Sequence, residues 1–199
     1  LAVQIGVRRF EGFAGAGISF VEIGGEIHFD PADPFAAFGD IGAGGEGGPS
    51  TRTPEMHLSH LLEGGITSVV GCLGTDGFTR SLESVLMKVK GLKAEGVSAY
   101  MYTGSYQVPT PTLLGDVARD IAMIEEVIGI GEIALSDHRS SCPSTAELIR
   151  LVEHARVGGM LGGKAGVANI HLGDAQKPFQ PIYDAVNNSM LKLTQQQKL

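Results

Sequence analysis

Hydrophobic and polar positions alternate in blocks along residues 54–186. Four short apolar runs, beginning at residues 66, 97, 130 and 167, are bounded by glycines or by helix-like segments. Between them, apolar residues recur three or four positions apart, as they do in amphipathic helices. The runs begin roughly thirty to forty residues apart, the length of a strand with its return helix. The pattern predicts a parallel α/β sheet.

The segments between the apolar runs predict the helices. The predicted ranges are 54–63, 81–95, 117–127 and 143–157, with a last helix that begins at 181. Ser144 followed by Glu147 is the signature of a capping box at a helix start. Glycines follow the first two ranges, where a helix commonly ends.

The third apolar run contains an acid, Glu132. With the period of two of a strand, Glu132 shares a face with Ile130 and lies opposite Ile133. An ionised carboxylate that faces an apolar interior costs several kcal/mol unless a cation, a metal or donors compensate it. Two interpretations are open: an edge strand with Glu132 in water, or a site inside the fold. The charged residues 137–139 favour a site, because α/β folds place their chemistry at carboxyl ends of strands.

Composition excludes several classes of function. The 199 residues, 43% of them hydrophobic, can bury one sizeable core. A net charge of -7 without a basic cluster argues against nucleic acid or an anionic membrane as partner. No apolar run approaches the roughly 18 residues of a membrane span, and no signal peptide is evident, so we expect a cytoplasmic protein. Cys72 and Cys142 are too few for a disulfide framework.

Residues 1–34 are predicted to form a short N-terminal β segment. Two apolar stretches flank Gly24 and Gly25 and predict a small hairpin. The proline-rich breaker at 30–34 then marks a boundary, after which residues 35–199 form the main domain.

Two glycine-rich segments imitate nucleotide-binding motifs. Residues 42–47 fit G-x-G-x-x-G, but no strand precedes them and Pro49 prevents a helix from starting there. Residues 158–164 match G-x4-G-K, but Ala165 replaces the Ser or Thr that holds magnesium, and the segment follows a helix instead of preceding one. A nucleotide-binding α/β domain is therefore the least supported alternative. The first loop instead surrounds one acid, Glu46, with glycines that let a ligand approach the backbone.

Other polar residues near strand ends supply candidate chemistry. His171, near the end of the fourth predicted strand, can share an interior with Glu132, which fits a metal site. Tyr106, in a loop after the second strand, either offers a phenol donor to a reacting carbonyl or fills a half-buried position. His57 and His60 lack the glutamate of a zinc-protease helix, so we expect a solvated face.

Several ordered blocks carry a family resemblance: residues 44–55, 67–76, 102–106, 131–141 and 156–164. They resemble the isoaspartyl (β-aspartyl) dipeptidases of the amidohydrolase superfamily, from about residue 41 to residue 187. The resemblance implies a metal-dependent (β/α)8 barrel of the TIM type with two zinc ions. It also implies hydrolysis of β-aspartyl dipeptides by a hydroxide that bridges the metals. A small dipeptide is then the partner, and a homo-oligomer is left open.

The resemblance also implies roles for individual residues. Glu132 resembles the bridging metal ligand, and His171 resembles a ligand of the second metal. Tyr106 resembles the donor that polarises the scissile carbonyl.

Four residues resemble the substrate-binding positions of the family. Glu46 matches the acceptor for the substrate amino group, and Arg139 matches the partner of its carboxylate. Gly44 and Thr75 match close substrate contacts.

The sequence departs from the family in two places. The first strand of the family ends in a His-x-His pair that binds zinc, whereas residues 37–39 here are Ala-Phe-Gly. The family's later ligand histidine, second substrate arginine and aspartate base have no counterpart after His171. We therefore expect a partial, inactive barrel, from a fragment or a disrupted reading frame. The alternative is a non-catalytic remnant that binds small acidic amino-acid derivatives.

Overall fold

The computed structural model describes residues 3–4, 28–30, 33–38, 48–51 and 54–188. Their strands are β1 (Val3–Gln4), β2 (His28–Asp30), β3 (Asp33–Phe38), β4 (Ser68–Gly71), β5 (Ser98–Thr103), β6 (Val127–Leu135) and β7 (Val167–Leu172). Their helices are α1 (Leu58–Glu63), α2 (Leu82–Ala94), α3 (Val117–Met123), α4 (Thr145–Gly162) and α5 (Gln180–Asn188). A 3₁₀ turn spans Pro49–Thr51.

One sheet joins these strands in the order β1-β7-β6-β5-β4-β3-β2. Strands β3 to β7 are parallel, and each pairs with the next along the chain. At the two edges, β1 pairs antiparallel with β7 and β2 pairs antiparallel with β3. The predicted fold class is confirmed: the chain is mixed α/β, and its parallel sheet curls as a half-barrel consistent with part of a TIM-type barrel.

The two faces of the sheet carry different clusters. Along β4, Val69 packs in the larger core, which also contains residues of the helices, whereas Val70 belongs to a second cluster. Met101 and Tyr102 of β5 divide in the same way, as the alternation of a strand requires. The second cluster also contains Cys72, whose thiol is directed toward the polar groups of the candidate site.

Side-chain caps begin the main helices. The Ser81 hydroxyl accepts a hydrogen bond from the backbone N–H of Ser84 at the start of α2. At the start of α4, Ser144 and Glu147 form the predicted capping box. Asp116 accepts from two backbone N–H groups at the start of α3. These caps satisfy donors that have no partner within their own helix.

The end of α3 and the start of β6 both lie earlier than the sequence pattern predicts. The helix ends at Met123 instead of residue 127, and β6 already begins at Val127. Lys164 accounts for the early end, because its ammonium donates to the carbonyls of Ile121, Ile124 and Val127. The helix can therefore stop without leaving these carbonyls unpaired.

Helix α4 is longer than the predicted range 143–157, because its glycines lie inside it. A Cβ on Gly158 would stand 2.8 Å from the carbonyl oxygen of Ala118, and one on Gly159 would stand 2.6 Å from Cα of Gly166. Gly158 permits close packing on α3, and Gly159 permits close packing on the turn before β7, so neither glycine breaks the helix. The segment that imitates a phosphate loop is thus the end of a helix, closed by Gly163 in the left-handed conformation.

Most of the N-terminal prediction lies outside the described residues. The predicted hairpin is described only at His28 and Phe29, which lie in β2. The proposed boundary after residue 34 falls within β3, and the division into two domains stays a prediction. In the described part of the chain, no helix combines the length and apolar character needed to cross a membrane.

Candidate active site

Glu132 is buried in the middle of β6, where all nine residues are buried. Its exposed fraction is 1%, so the interpretation that it faces water is wrong. The expected shared face with Ile130 is also wrong, because Ile130 packs in the same core cluster as Ile133. The β6–β7 register shifts between these two isoleucines, and this shift interrupts the alternation of a regular strand. The Gly131–Glu132 peptide within the shift is cis.

Polar groups of neighbouring strands surround the Glu132 carboxylate. His171 on β7 places Nδ1 3.7 Å from Oε1, and the Cys72 thiol lies 4.0 Å from Oε2. Tyr102 of β5 is buried on the same side, and burial raises the pKa of its phenol, with Cys72 and Glu132 adding to the rise. The carboxylate is therefore in a polar pocket within a buried sheet.

His171 connects two other residues of the site. Its Nδ1 lies 2.9 Å from the Tyr106 hydroxyl, and its Nε2 lies 2.9 Å from Nη2 of Arg139. The rings of His171 and Tyr106 have centroids 4.8 Å apart. His171 is 4% exposed, so its ring nitrogens are largely shielded from water. The hydrogen bonds to Tyr106 and Arg139 therefore fix the orientation of the imidazole.

Tyr106 is held by its backbone as well as by its ring. Its N–H donates to the carbonyl of Gly74 after β4, and its carbonyl accepts from the N–H of Ala134 in β6. The residue is 3% exposed, so it is buried instead of half-buried. The ends of β4 and β6, the two strands that flank β5, thus place this phenol at the carboxyl edge of the sheet.

Arg139 is fixed by Asp137, two residues before it. The guanidinium donates to both carboxylate oxygens, with Nε to Oδ1 at 2.8 Å and Nη2 to Oδ2 at 2.9 Å. The backbone N–H of Arg139 also donates to Asp137 at 2.8 Å. The guanidinium holds the pKa of the Asp137 carboxyl well below its usual range, against the opposing effect of burial. The same guanidinium lies 5.0 Å from the centroid of the Tyr106 ring.

The structure therefore brings together four of the residues selected from the sequence: Tyr106, Glu132, Arg139 and His171. From the sequence, Asp137 is only one of the charged residues that follow the strand, without a predicted role of its own. The available signal was its spacing of two from Arg139, which allows a carboxylate and a guanidinium to pair across a tight turn.

Among the described residues, the other selected positions lie outside this hydrogen-bonded cluster. Thr75 is half-buried in the loop after β4, next to Gly74. Gly44 and Glu46 lie outside the described residues. His57, just before α1, and His60 in α1 are exposed, as expected of a solvated face.

The described residues do not fit a two-metal centre. Among them, no group of three or more His, Cys, Asp or Glu side chains is placed to hold a metal ion. The arginine at Nε2 of His171 also disfavours a metal there, since guanidinium and metal are both cations that compete for the same lone pair. The described backbone of β3 ends at Ala37 and Phe38, whose residue types ligate no metal.

Fold and site together define the class of protein: an α/β protein with a parallel half-barrel sheet that carries a buried carboxylate and a buried histidine on neighbouring strands. No family model matches the sequence. Solved structures do match, among them the β-aspartyl dipeptidase of Fervidobacterium islandicum AW-1 in complex with β-Asp-Leu, and the β-aspartyl dipeptidase of the same organism without a named ligand. The first is 48% identical with a TM-score of 0.76, over 79% of this chain and 43% of that chain. The second is 50% identical with a TM-score of 0.74, over 76% of this chain and 41% of that chain.

Over the matched residues the chain is similar to β-aspartyl dipeptidases at 48–50% identity, which confirms the resemblance seen in the sequence. The two matched structures are dipeptidases, which agrees with the predicted enzyme class for the proteins that this chain resembles. The chain spans about two fifths of the length of the structures that it matches.

Proposed function

We propose that this chain recognises β-aspartyl dipeptides at the carboxyl edge of its sheet. The observation that carries the proposal is the convergence of Tyr106, Arg139 and His171 within hydrogen-bond distance. A buried phenol and a fixed guanidinium suit a small ligand with a carbonyl and a carboxylate. The similar structure in complex with β-Asp-Leu supports the same class of ligand.

Each residue has a proposed role. Arg139 binds the ligand carboxylate, and Tyr106 donates to the carbonyl of the β-peptide bond. Thr75 makes a close contact from the loop after β4. Gly44 and Glu46, outside the described residues, retain the roles that the resemblance implies, with Glu46 accepting from the ligand amino group.

Hydrolysis is the activity of the family, but we propose that this chain binds without hydrolysing. The resemblance predicts two zinc ions with Glu132 and His171 among the ligands, and such metals would supply an activated hydroxide. The described residues lack a third ligand for either ion. The zinc requirement, a cytoplasmic location and homo-oligomerisation remain predictions.

Calorimetric titration of the 199-residue chain with β-Asp-Leu tests the proposal. We expect saturable binding, tighter than that of α-Asp-Leu, because the α-isomer places its carboxylates differently relative to the carbonyl. Arg139→Ala should weaken binding at least tenfold, since a hydrogen bond to a charged group is worth about 1.5–3 kcal/mol. The matched control is Arg119→Ala, an exposed arginine on α3. Equal binding of the two isomers, or equal losses in the two arginine variants, would contradict the proposal.

The second candidate function is binding of small acidic amino-acid derivatives in general. The observation that favours it is again that the described residues lack a third metal ligand. A protein that does not hydrolyse its ligand needs no peptide carbonyl in that ligand. N-acetyl-aspartate would then bind as tightly as β-Asp-Leu, and Tyr106→Phe would leave both affinities unchanged.

A further inference from the structure

The contact between Arg139 and His171 determines where the imidazole carries its hydrogen. A guanidinium has only N–H donors, so at 2.9 Å the Nε2 atom of His171 must accept from Nη2. A ring nitrogen that accepts carries no hydrogen, and the hydrogen of the neutral ring is then on Nδ1. Nδ1 faces the Tyr106 hydroxyl at 2.9 Å, and the oxygen of that hydroxyl accepts from it.

We propose that His171 is a positioning residue held as the Nδ1–H tautomer between Tyr106 and Arg139, and that the Arg139 guanidinium excludes a metal ion from Nε2. A metal would need the same Nε2 lone pair that the guanidinium uses. Asp137 strengthens this exclusion, because its two hydrogen bonds to the guanidinium hold that group in place.

The tautomer also sets the direction of the Tyr106 hydroxyl. Because the phenolic oxygen accepts from Nδ1, its hydrogen is directed to a different acceptor. The chain Asp137–Arg139–His171–Tyr106 therefore orients Tyr106 as a donor, which is the direction that a ligand carbonyl requires. A metal at Nε2 would displace Arg139 and break this chain.

The direct test is the long-range ¹H–¹⁵N spectrum of the full chain labelled in histidine, with His171 assigned by its loss in His171→Gln. We expect a protonated Nδ1 and an unprotonated Nε2 in the wild type and in the control Arg119→Ala. In Arg139→Ala, the Nδ1–H tautomer should lose its dominance. A wild-type ring protonated at Nε2 would overturn the proposal.

Zinc titration of the same proteins tests the exclusion. We expect apparent zinc affinity to rise at least tenfold in Arg139→Ala, and the rise to vanish when His171→Gln is added. Arg139→Lys keeps the charge without the fork that joins Asp137 to His171. The lysine variant should therefore also change the tautomer. It replaces the alanine variant in both measurements if the alanine variant fails to fold. A lysine variant with the tautomer and zinc affinity of the wild type would show that charge alone acts, and would overturn the proposal.

Neither the ¹H–¹⁵N spectrum nor the zinc titration is recorded with a dipeptide in the sample. A failure here would leave the proposed recognition of β-aspartyl dipeptides intact, and a failure of dipeptide binding would leave the tautomer measurable.

Discussion

Asp137 connects the local sequence to the geometry of the site. Its carboxylate accepts from the backbone N–H, Nε and Nη2 of Arg139, and its side chain is 6% exposed. An exposed arginine side chain would sample many rotamers, and a carboxylate that accepts from both Nε and Nη2 removes that freedom. The pair therefore fixes the direction in which Arg139 faces His171.

Asp137→Asn should lower the free energy of unfolding at pH 7 by about 1–3 kcal/mol, because an amide cannot replace a carboxylate toward a guanidinium. The Asp137 pKa is lowered in the folded state. Its stabilisation is thus complete above the unfolded pKa of about 3.9 and is lost as pH falls toward the folded value. Urea unfolding at pH 7 and pH 3 should show the gap between wild type and variant shrinking at the lower pH.

Asp174→Asn is the control for this measurement, because Asp174 is exposed. It should change stability by less than about 0.5 kcal/mol at either pH. A gap for Asp137→Asn that is constant with pH would show that its pairing with Arg139 is not what stabilises the fold.

Individual residues also show how far the sequence could predict the site. The strand pattern left the burial of Glu132 open, and the charged residues after the strand favoured a site that it could share with His171. The two residues lie together in the structure. The face of Ile130 did not follow, because the register shift in β6 depends on pairing with β7 and leaves no local pattern. The hydrogen bonds of Arg139 to Asp137 and His171 depend likewise on side-chain directions that spacing alone does not give.

Among the elements, helices α3 and α4 pack closely because glycines face the contact. The sequence pattern favours a turn at these glycines, since glycine inside a helix is usually unfavourable. The packing of α4 against α3 is not visible in the pattern of a single helix, and it overrides this propensity.

Two helix-interior glycines should respond oppositely to alanine. Gly158→Ala should destabilise the fold by about 1–3 kcal/mol, because the new Cβ would lie 2.8 Å from the Ala118 carbonyl oxygen. Gly91→Ala in α2 meets nothing within 4 Å and should stabilise by about 0.5–1 kcal/mol. Thermal or urea unfolding of both variants checks this, and a change of the same sign in both would contradict the packing of α4 on α3.

Lys164 joins the end of α3 to the start of β6. Its ammonium donates to carbonyls of both elements. Lys164→Met keeps the length of the side chain but removes these bonds, and should cost about 1–3 kcal/mol in urea unfolding. The exposed Lys177→Met should have little effect. An equal response of the two would show that Lys164 does not stabilise this end of the helix.

For the molecule as a whole, the alternation of strands and helices was predictable because each βα unit has its own hydrophobic period. The order of the parallel strands follows from that alternation, since consecutive parallel strands joined by a helix usually pair. The antiparallel pairings of β1 and β2 at the edges were not predictable, because they join segments distant in sequence or short in length. The family resemblance came from ordered blocks of residues and not from this architecture, which many functions share.

On the proposed function, this chain recognises β-aspartyl dipeptides, while its described residues lack a complete metal site. An assay of β-Asp-Leu hydrolysis by the 199-residue chain with added zinc tests whether binding occurs without hydrolysis. The measured quantity is the amount of free leucine released. We expect no release above the rate without protein, even where calorimetry shows the site to be saturated. Robust release that disappears in Glu132→Gln would contradict the proposal, because it would require a working metal site that includes this carboxylate.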